Sequence, residues 1–440
     1  MIQAVILAGG KGTRLAERLN GRPKPLIDVD GVPLLARQLT QLAQFGVDEA
    51  VVLVNHAADQ IETFLQGWSA PGLTVRLVDD GDPRGTAGAV LACLDQLRDR
   101  FLVVYGDTLF DIDVAAFLRT HEASGADATL FLHPNDHPAD SDLVEVDDDG
   151  RIIGFHGYPH PPGAYLPNLV NAAFYCLERR ALEPFRDAAT PHDFAKDLFP
   201  RMLAGGARMQ GYKSFEYIKD LGTPKRLDKV ERHLRTGVVA RARLVERQAA
   251  VFVDRDGTLN ELRDYVRKAE DLTLLPGVPE AVHKLNDAEL RVVVVTNQPV
   301  IARGETSPAE MRRIHAKLDS ELGAGGAYVD ALYFCPHHPD GGFPGEVAAL
   351  KFDCGCRKPK TGLIDRAVDD LNIDLARSWL IGDSTSDMLA ARRAGLRSVL
   401  VLTGEGGRDG KYVVEADMVA PTFAEAVDLV VAASKQGTER

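Results

Sequence analysis

The feature that most constrains the fold of this chain is the alternation of short β-branched runs with helix-like segments along nearly its whole length. Apolar runs stand at 51–54, 101–105, 251–253, 292–295 and 398–402. Strands that alternate with helices form βαβ units, whose sheets are mostly parallel and covered by helices. A length of 440 residues exceeds one ordinary domain of ~100–200 residues. The sequence therefore predicts an α/β protein with two Rossmann-like three-layer domains.

The best candidate boundary is the polar, arginine-rich stretch TGVVARARLVERQA, which follows a helical segment and precedes a new strand. We predict a first domain at 1–235, a linker at 236–249, a second domain at 250–430 and a tail at 431–440. The last residues, KQGTER, have little apolar surface to pack, so we expect the tail to be frayed.

The composition excludes several classes of protein. Hydrophobic residues make up 45% and charged residues 26% of the chain, as in globular proteins with sizeable cores. The net charge of −13 disfavours nucleic-acid binding, which relies on lysine and arginine. No apolar run reaches the ~18 residues of a membrane span, and the start MIQAVILAGG is typical of a strand and a glycine turn rather than a secretion signal. We therefore expect a cytoplasmic protein.

A glycine-rich loop follows the first strand, in VILAGGKGTRL at 5–15. Glycines let backbone N–H groups close on phosphate oxygens, and the two cations among them suit the charge of a triphosphate. A simple glycine turn would explain the glycines but not the cations. The spacing fits neither the P-loop nor the dinucleotide fingerprint. The candidate phosphate-binding residues are Gly9, Gly10, Lys11, Gly12, Thr13 and Arg14.

Two further segments of the first half are candidates for binding a nucleotide. Lys24 stands between two prolines in RPKPL, where a rigid backbone could aim it at phosphates; a solvated surface lysine is the alternative. The small residues Gly85, Thr86 and Ala87 open a helix, where a flat base could lie close to the backbone.

Two aspartates of the first half are candidate magnesium ligands. Asp107 follows the strand FLVVY at 101–105, and the carboxyl end of a strand is where open α/β sheets bind ligands. Asp220 lies on a turn before a helix, in KDLGTP. Mg²⁺ takes one or two protein carboxylates together with substrate oxygens, so a converging pair would suit a nucleoside triphosphate. Either aspartate alone could be a helix cap.

The motifs LAGGKGTRL, RPKPL, GTAGA, YGD and KDLGTP stand in the order and approximate spacing of the sugar-phosphate nucleotidyltransferases, and residues 1–235 resemble that family. The resemblance implies a mixed-sheet domain in which a sugar 1-phosphate oxygen attacks the α-phosphorus of a nucleoside triphosphate and releases pyrophosphate. It implies that Arg14 and Lys24 position the reactants and stabilise charge, with Mg²⁺ on Asp107 and Asp220.

The same resemblance extends to the sugar and the base. Glu145 matches the glutamate of a Glu-Lys-Pro motif whose lysine holds the sugar phosphate, but GFHG at 154–157 lacks that lysine. Asn171 in LVNAAFY resembles the sugar-binding asparagine of the family, with a core asparagine as the alternative. The segment GTAG at 85–88 resembles guanylyltransferases more than thymidylyl or uridylyl enzymes, so we favour GTP.

The second half opens with the apolar strand VFV and the segment DRDGTLN, which carries two aspartates two residues apart. Asp254 can face a phosphorus as nucleophile, while Asp256 can protonate the leaving oxygen and then deprotonate water. The two carboxylates repel each other, and Mg²⁺ bound by both would relieve that repulsion. A calcium loop of the EF-hand type would need further ligands and a closing glutamate, which this segment lacks.

The second half also contains the other groups that a phosphatase needs: a hydroxyl and an amide for phosphate, a lysine to bridge nucleophile and phosphate, and an acidic pair for Mg²⁺ in GDSTSD. These groups stand in order at Thr296, Asn297, Lys358 and Asp383. With the double aspartate they resemble the four-part signature of the haloacid dehalogenase superfamily, over residues 250–430. No long insertion follows the first two parts, so the resemblance implies a capless domain with a parallel sheet and an open site.

Three of the five cysteines crowd into one short segment of the second half, which suits a metal site better than disulfides. CPHH and CGC supply three thiolates and one imidazole, a closed set of the structural zinc type. The ligands would be Cys335, His337, Cys354 and Cys356, with His338 competing and the resemblance favouring His337. Zinc would fix the loop that presents the neighbouring Arg-Lys pair to phosphate.

The motifs CPHH, CGCRKP and NQPVIARG resemble the D-glycero-D-manno-heptose 1,7-bisphosphate 7-phosphatases, which are relatives of histidinol phosphatases. Arg303 and Arg357 suit the second phosphate of a bisphosphate, whereas histidinol phosphate, with one phosphate and an amine, has less use for their charge.

Together the resemblances imply two consecutive steps on one chain: Mg²⁺-dependent removal of the 7-phosphate through an aspartyl-phosphate, and transfer of the nucleotide, favoured as GMP from GTP, to heptose 1-phosphate. The expected partners are these small substrates, with a homo-oligomer left open. One alternative is a transferase for another sugar 1-phosphate, such as mannose or glucose 1-phosphate, fused to a histidinol-phosphate or other small phosphomonoester phosphatase. In the other alternative, one half is a folded but inactive binding module.

Overall fold

The computed structural model describes residues 2–10, 12–55, 57–79, 81, 84–186 and 193–438. For residues 436–438 it describes the backbone only. The chain divides into two compact units. The first comprises Met1–His133, Asp142–Gly157 and Leu169–Leu244, and the second comprises Pro134–Ser141, Tyr158–Asn168 and Val245–Arg440. Two short segments of the first half therefore group with the second unit. The domain boundaries drawn from the sequence stay a prediction.

The first unit alternates strands and helices, as its sequence pattern predicts. Its strands are β1 Ile2–Leu7, β2 Asp28–Val29, β3 Val32–Pro33, β4 Val47–Val54, β5 Thr74–Asp79, β6 Arg100–Tyr105, β7 Thr108–Asp111, β8 Ala128–His133, β9 Leu143–Val146, β10 Ile152–His156, β11 Val170–Glu178, β12 Met209–Lys213 and β13 Tyr217–Asp220. Its helices are α1 Ala16–Leu19, α2 Leu34–Gln44, α3 Ala58–Gln66, α4 Gly85–Ala92, α5 Val114–Ser124, α6 Arg179–Leu182, α7 Phe199–Ala204, α8 Pro224–Arg235 and α9 Val238–Arg241. The last helix lies inside the stretch predicted as a linker.

Nine strands of the described residues form one mixed sheet in the first unit, in the order β10-β9-β11-β6-β1-β4-β5, with β8 joined to β11 and β12 to β8. The strands β6, β1, β4 and β5 are parallel, whereas β11 runs antiparallel to β6. Alternate residues of β1 pack on opposite faces: Val5 joins one core cluster, and Ala4 and Ile6 join another. The prediction of an α/β domain with a mixed sheet is confirmed.

The second unit is built around a parallel sheet. Its strands are β14 Ala250–Val253, β15 Arg291–Asn297, β16 Ala331–Cys335, β17 Trp379–Gly382, β18 Arg397–Val401 and β19 Met418–Ala420. Its helices are α10 Val278–Asp287, α11 Pro308–Ala324, α12 Gly362–Leu371, α13 Thr385–Ala394 and α14 Phe423–Thr438. The strand order is β16-β15-β14-β17-β18-β19, and all pairs are parallel. The prediction of a second, parallel α/β domain is confirmed.

The helix α14 covers much of the predicted tail. Val430 and Val431 are buried in the core of the second unit beside Val427. The helix continues to Thr438, so the stretch predicted to fray begins inside a packed helix.

The segment 158–168 is held to α11 of the second unit by backbone hydrogen bonds. Leu166 N donates to Ser320 Oγ at 3.0 Å, and Ser320 Oγ donates back to Leu166 O at 3.2 Å. Asn168 N donates to Asp319 Oδ2 at 3.1 Å. Burial raises the pKa of Asp319 to about 7, and the bond from Asn168 only partly offsets that effect.

The buried carboxyl group of Asp319 predicts a pH-dependent stability. Its folded pKa of about 7 lies above the unfolded value of ~3.9, so the folded protein binds the proton more tightly. Ionisation of Asp319 lowers the free energy of unfolding. This loss is absent below the unfolded pKa, grows as the pH rises, and is complete above the folded pKa. The Asp319→Asn variant keeps a side-chain oxygen that can accept the hydrogen bond from Asn168 N. It should raise the melting temperature more at pH 8 than at pH 5.

Thermal unfolding of the full chain at both pH values checks this. The matched control is Asp369→Asn, the same change at an exposed position of α12. A shift of equal size at the two pH values would contradict the assignment to Asp319.

Candidate active sites

The glycine-rich loop and Asp107 lie at the same edge of the sheet in the first unit. β1 and β6 are parallel neighbours with Leu7 beside Tyr105, so the chain leaves both strands at adjacent points. Gly106 N donates to Leu7 O at 3.0 Å. A Cβ on Gly106 would lie 2.7 Å from the same oxygen, so this close approach requires glycine.

Lys24 is directed at Asp107. Its Nζ lies 2.5 Å from Asp107 Oδ2, and the lysine is only 8% exposed. It begins a tight turn, Lys24–Leu26, directly after Pro23. Gly12 makes room for it, because a Cβ there would lie 3.2 Å from Lys24 Cβ. A buried ammonium needs an anionic partner, so Lys24 is a preorganised cation rather than a solvated surface lysine.

The second predicted magnesium ligand, Asp220, is brought to the same region by β13. This strand pairs with β7, and the residue after Asp220, Leu221, donates its N–H to Asp107 O at 2.8 Å. Arg226 Nη1 donates to both oxygens of Asp220 at 2.7 and 2.6 Å. Burial raises the pKa of Asp220, but the bonds and charge of Arg226 outweigh it and hold that pKa below its ordinary value. Asp220 is therefore ionised, and its charge is already paired with the guanidinium of Arg226.

Arg14 lies near this pair. Its Nη2 is 3.3 Å from the position that a Cβ on Gly222 would occupy, and Asp220 Oδ1 is 2.8 Å from the same point. The structure thus brings Arg14, Lys24, Asp107 and Asp220 to one end of the sheet.

Thr86 and Asn171 are half-buried in the first unit, and each is hydrogen-bonded to other protein groups. Thr86 Oγ1 donates to Asp193 Oδ2 at 3.2 Å and accepts a bond from Phe194 N at 3.1 Å. The Oδ1 atom of Asn171 accepts from Ala173 N at 3.3 Å. Both side chains are therefore fixed by neighbouring backbone, and the hydroxyl of Thr86 is engaged with Asp193 rather than open to a base.

Glu145 faces a histidine across the β9–β10 pair. Its Oε2 lies 3.3 Å from His156 Nε2. The segment 154–157, which lacks the family lysine, thus places an imidazole beside this glutamate.

The remaining predicted residues of the first unit lie on the loop and the first turn of α4. Lys11 is outside the described residues. Gly9, Gly10 and Thr13 lie on the glycine-rich loop, and Gly85 and Ala87 lie in the first turn of α4.

In the second unit, Asp254 lies at the carboxyl end of β14, between β15 and β17. Its N–H donates to Ile381 O at 3.0 Å, which continues the pairing with β17. Lys358 Nζ lies 2.7 Å from Asp254 Oδ1 and 2.6 Å from Asp387 Oδ1. Lys358 is 4% exposed, so this ammonium bridges two carboxylates in a buried setting.

Asp254, Asp383 and Asp387 form a carboxylate cluster: one oxygen from each lies within 4.8 Å of the others. Burial raises the pKa of Asp383 well above its ordinary range, and the negative charges of Asp254 and Asp387 raise it further. A divalent cation relieves such repulsion, and carboxylate oxygens are the ligands that Mg²⁺ prefers. The donor set therefore fits Mg²⁺.

Asp256, also predicted as a magnesium ligand, is occupied by other groups. Arg255 Nη2 donates to its oxygens at 2.9 and 2.8 Å, Asn260 Nδ2 donates at 3.0 Å and Gln298 Nε2 at 2.7 Å. Burial raises the pKa of Asp256, but the charge of Arg255 and these bonds outweigh it and lower that pKa. Its side chain lies outside the carboxylate cluster found among the described residues.

Thr296 and Asn297 lie at the end of β15, as the sequence predicts. Thr296 is buried, and its Oγ1 accepts a bond from Gln298 Nε2 at 2.9 Å. Asn297 uses both ends of its amide on the backbone of Lys358: Oδ1 accepts from Lys358 N at 3.0 Å and Nδ2 donates to Lys358 O at 3.2 Å. The Asn297 side chain therefore holds the segment that carries the lysine.

The two arginines predicted to bind a second phosphate have different surroundings. The Arg303 guanidinium lies 4.6 Å from the ring centre of Tyr265 and 4.1 Å from that of Phe343, and its Nε donates to Glu305 Oε1 at 2.6 Å. Arg357 Nη1 donates to the backbone oxygen of His337 at 3.4 Å. Arg303 is thus fixed between two rings, and Arg357 is attached to the cysteine-rich loop.

The cysteine-rich loop brings together three thiols and one imidazole. Cys356 Sγ lies 3.3 Å from both Cys335 Sγ and Cys354 Sγ, and 3.2 Å from His337 Nδ1. All four ligand atoms lie within 4.8 Å of one another. His338 Nδ1 instead accepts from Asp340 N at 3.1 Å. This closed set of soft ligands fits structural zinc.

Replacing Cys354 by serine should weaken zinc retention and reduce phosphatase activity. Cys354 is three residues from Arg357 in a loop that also carries Lys358 two residues beyond Cys356, so loss of one thiolate should loosen the lysine that contacts Asp254. Zinc content by metal analysis and phosphate release check this. Cys176→Ser, at a buried cysteine of the first unit, is the matched control. Full phosphatase activity in zinc-free protein would contradict a structural role.

These geometries define an α/β protein with a glycine-rich loop and paired charges at a sheet edge of one unit and a buried lysine–carboxylate centre in the other. Residues 3–237 match the nucleotidyl transferase family, and residues 355–426 match the HAD-hydrolase-like family. The chain therefore belongs to the nucleotidyl transferase family, with a haloacid dehalogenase-type phosphatase as its second part. It is a bifunctional transferase and phosphatase.

Known proteins resemble the two parts separately. The D-glycero-beta-D-manno-heptose-1,7-bisphosphate 7-phosphatase of Haemophilus ducreyi is 40% identical over 184 residues, which cover 41% of this chain and 97% of that protein. HddC from Yersinia pseudotuberculosis is 24% identical with a TM-score of 0.46, covering 53% of this chain and 100% of that one. The magnesium and phosphate complex of the D,D-heptose 1.7-bisphosphate phosphatase of B. bronchiseptica is 32% identical with a TM-score of 0.38, covering 42% and 99%.

Asp387, which completes the carboxylate cluster, is the second aspartate of the acidic pair in GDSTSD. Several other residues at these sites are not among those the sequence singled out. Arg226 and Arg255 are cations paired with predicted aspartates. Asp193 binds Thr86. No motif marks Arg226 or Asp193, because their roles depend on chain segments that meet only in the fold.

No helix among the described residues is both long and apolar enough to cross a membrane.

Proposed function

We propose that this enzyme removes the 7-phosphate from D-glycero-D-manno-heptose 1,7-bisphosphate and then transfers a nucleotide, GMP from GTP, to the resulting heptose 1-phosphate. The observation that carries the proposal is the presence of both reaction centres on one chain, since the product of the second unit is the acceptor class of the first. The heptose bisphosphate phosphatases that the second part resembles support the sugar. The support for guanine is the GTAG segment at the start of α4.

In the phosphatase step, an oxygen of Asp254 attacks the phosphorus of the 7-phosphate and the bond to the sugar oxygen breaks, giving an aspartyl-phosphate. Because Arg255 lowers the pKa of Asp256, this carboxylate must first take a proton from solvent, which it then gives to the departing sugar oxygen. It then takes a proton from water as that water attacks the phosphorus, which releases phosphate and restores Asp254. The contact of Lys358 with Asp254, at 2.7 Å, places a positive charge beside the phosphate that is transferred.

In the transfer step, an oxygen of the sugar 1-phosphate attacks the α-phosphorus of the triphosphate and pyrophosphate leaves. The protein supplies position and charge for this step rather than a covalent partner. Lys24 is the buried cation at the strand edge, and Arg14 lies beside Asp220. The loop glycines at 9, 10 and 12 would let backbone N–H groups approach the phosphates.

Mg²⁺ would be held by Asp107 and Asp220 in the first unit and by Asp254, Asp383 and Asp387 in the second, where it would supply positive charge against phosphate oxygens. Zinc would be held by Cys335, His337, Cys354 and Cys356 as a structural ion. Because nucleoside triphosphates and sugar phosphates are metabolites of the cytoplasm, the proposal places the enzyme there.

The test incubates the full chain with Mg²⁺, the four nucleoside triphosphates and each anomer of the heptose bisphosphate, and identifies products by mass spectrometry. GDP-heptose is the expected product from one anomer. Another nucleotide on heptose would overturn the choice of base. Heptose 1-phosphate without nucleotide transfer would overturn the acceptor, and mannose and glucose 1-phosphate would be tried next. Phosphate released from histidinol phosphate but not from the heptose would overturn the phosphatase substrate.

A further inference from the structure

Arg255 is a charged residue with no exposed surface. Its side chain is 0% exposed, and it lies between the two aspartates of DRDGTLN. Taking a charge out of water is costly unless the charge is paired and hydrogen-bonded. Within the part of the chain that the structure describes, the acidic side chain in ion-pair contact with Arg255 is Asp256, at 2.8 Å. The charged forms of Arg255 and Asp256 therefore stabilise each other.

The other side of the guanidinium faces groups that carry no charge. Arg255 Nη1 points to the sulfur of Met311 at 3.8 Å, on α11. His315 lies one turn further along this helix, with its ring 5.3 Å from that of Phe334. Burial, and then the charge of Arg255, lower the pKa of His315 to about 3, so this imidazole is neutral and offers no competing charge. Among the described residues, the guanidinium forms no ion pair with a second acidic side chain.

Asp256 is also held from two other directions. Asn260 Nδ2 donates to Oδ1 at 3.0 Å and Gln298 Nε2 donates to Oδ2 at 2.7 Å, while Arg255 donates to both oxygens. Rotating the Asp256 side chain away would break these bonds and leave the buried guanidinium uncompensated. Breaking one partner from a buried ion pair is strongly destabilising. The carboxylate is thus pinned in one place.

From this geometry we infer that Arg255 is the positioning residue of Asp256, which acts on substrate from a fixed position rather than by swinging toward it. The inference rests on the proposed acid/base role of Asp256. Arg255 itself does not touch substrate in this account: it controls the departure of the leaving group only through Asp256. A leaving oxygen that needs a proton, as in an alkyl phosphate, should depend on Arg255, whereas an aryl phosphate with a stable phenolate should depend on it much less.

The test compares wild type with Arg255→Met, Arg255→Lys and Asp256→Asn on two substrates, an alkyl phosphate that wild type hydrolyses and p-nitrophenyl phosphate. Since proton transfer by a placed group contributes ~10²–10⁴-fold, we expect Arg255→Met to lower kcat on the alkyl phosphate at least ~10-fold more than on the aryl phosphate, with KM nearly unchanged. Arg255→Lys should recover part of that loss. An equal loss on both substrates would mean that Arg255 is merely structural.

A double-variant cycle separates the inference from the role it rests on. If Arg255 acts through Asp256, Arg255→Lys should lower alkyl phosphate hydrolysis in wild type but cause no further loss in the Asp256→Asn background. Independent losses that multiply would overturn the inference. If Asp256→Asn itself has no effect, the proposed acid/base role fails instead. Should Arg255→Met not fold, the lysine variant and the charge-balanced Arg255→Met/Asp256→Asn pair carry the same comparison.

Discussion

Replacing Asp254 by asparagine is expected to abolish phosphate release, by at least ~10³-fold, and to leave nucleotidyl transfer unchanged. The amide has nearly the same shape as the carboxylate but is not a nucleophile. Lys358 keeps its second partner, Asp387 at 2.6 Å, so the buried ammonium remains paired in the variant. The loss should therefore report the missing nucleophile rather than a collapsed site.

The measurement is phosphate release and nucleotide-sugar formation from the same preparation, with a sugar 1-phosphate supplied for the second assay. Asp369→Asn, at an exposed position of the same unit, is the matched control and should retain both activities. Phosphate release at the wild-type rate by Asp254→Asn would remove the basis for an aspartyl-phosphate.

Replacing Asp107 by asparagine should have the opposite effect: nucleotidyl transfer falls by at least ~10²-fold while phosphate release is unchanged. Asp107 follows β6 and accepts the Lys24 ammonium at 2.5 Å, so one substitution removes a candidate magnesium ligand and the partner of a buried cation. An amide neither balances that charge nor binds Mg²⁺ well.

Pyrophosphate release in the presence of each nucleoside triphosphate and a sugar 1-phosphate measures this effect. Asp59→Asn, on the exposed side of α3, is the matched control within the first unit. Each of the two main variants also serves as the folding control for the other, since each should keep one activity. Wild-type transfer by Asp107→Asn would show that this carboxylate is not part of the transfer site.

The strand-end motifs allowed much of both sites to be anticipated. Asp107 and Asp254 follow buried strands that have parallel neighbours, and the carboxyl ends of such strands meet at one edge of the sheet. The cysteine motifs likewise converge, because CPHH ends β16 and CGC lies in the loop before α12. Local spacing and strand polarity were sufficient for these predictions.

Pairings between distant segments could not be anticipated in this way. Asn297 offers an amide that suits a phosphate, yet both of its polar ends bind the backbone of Lys358, which is 61 residues away. Thr86 is bound to Asp193, which is 107 residues away. Neither partner has a signature, because any residue with a suitable donor or acceptor could satisfy the geometry.

The two α/β domains, their order and the chemical type of each site could be derived from the amino-acid sequence alone, since periodicity, glycine turns and strand-end carboxylates follow from local backbone physics. Which charges are buried together depends instead on how the chain folds. The fold paired Lys24 with Asp107, Arg226 with Asp220 and Arg255 with Asp256. It also grouped 134–141 and 158–168 with the second unit. The reason is physical: a buried charge must find a partner, and which partner it finds depends on how distant segments pack.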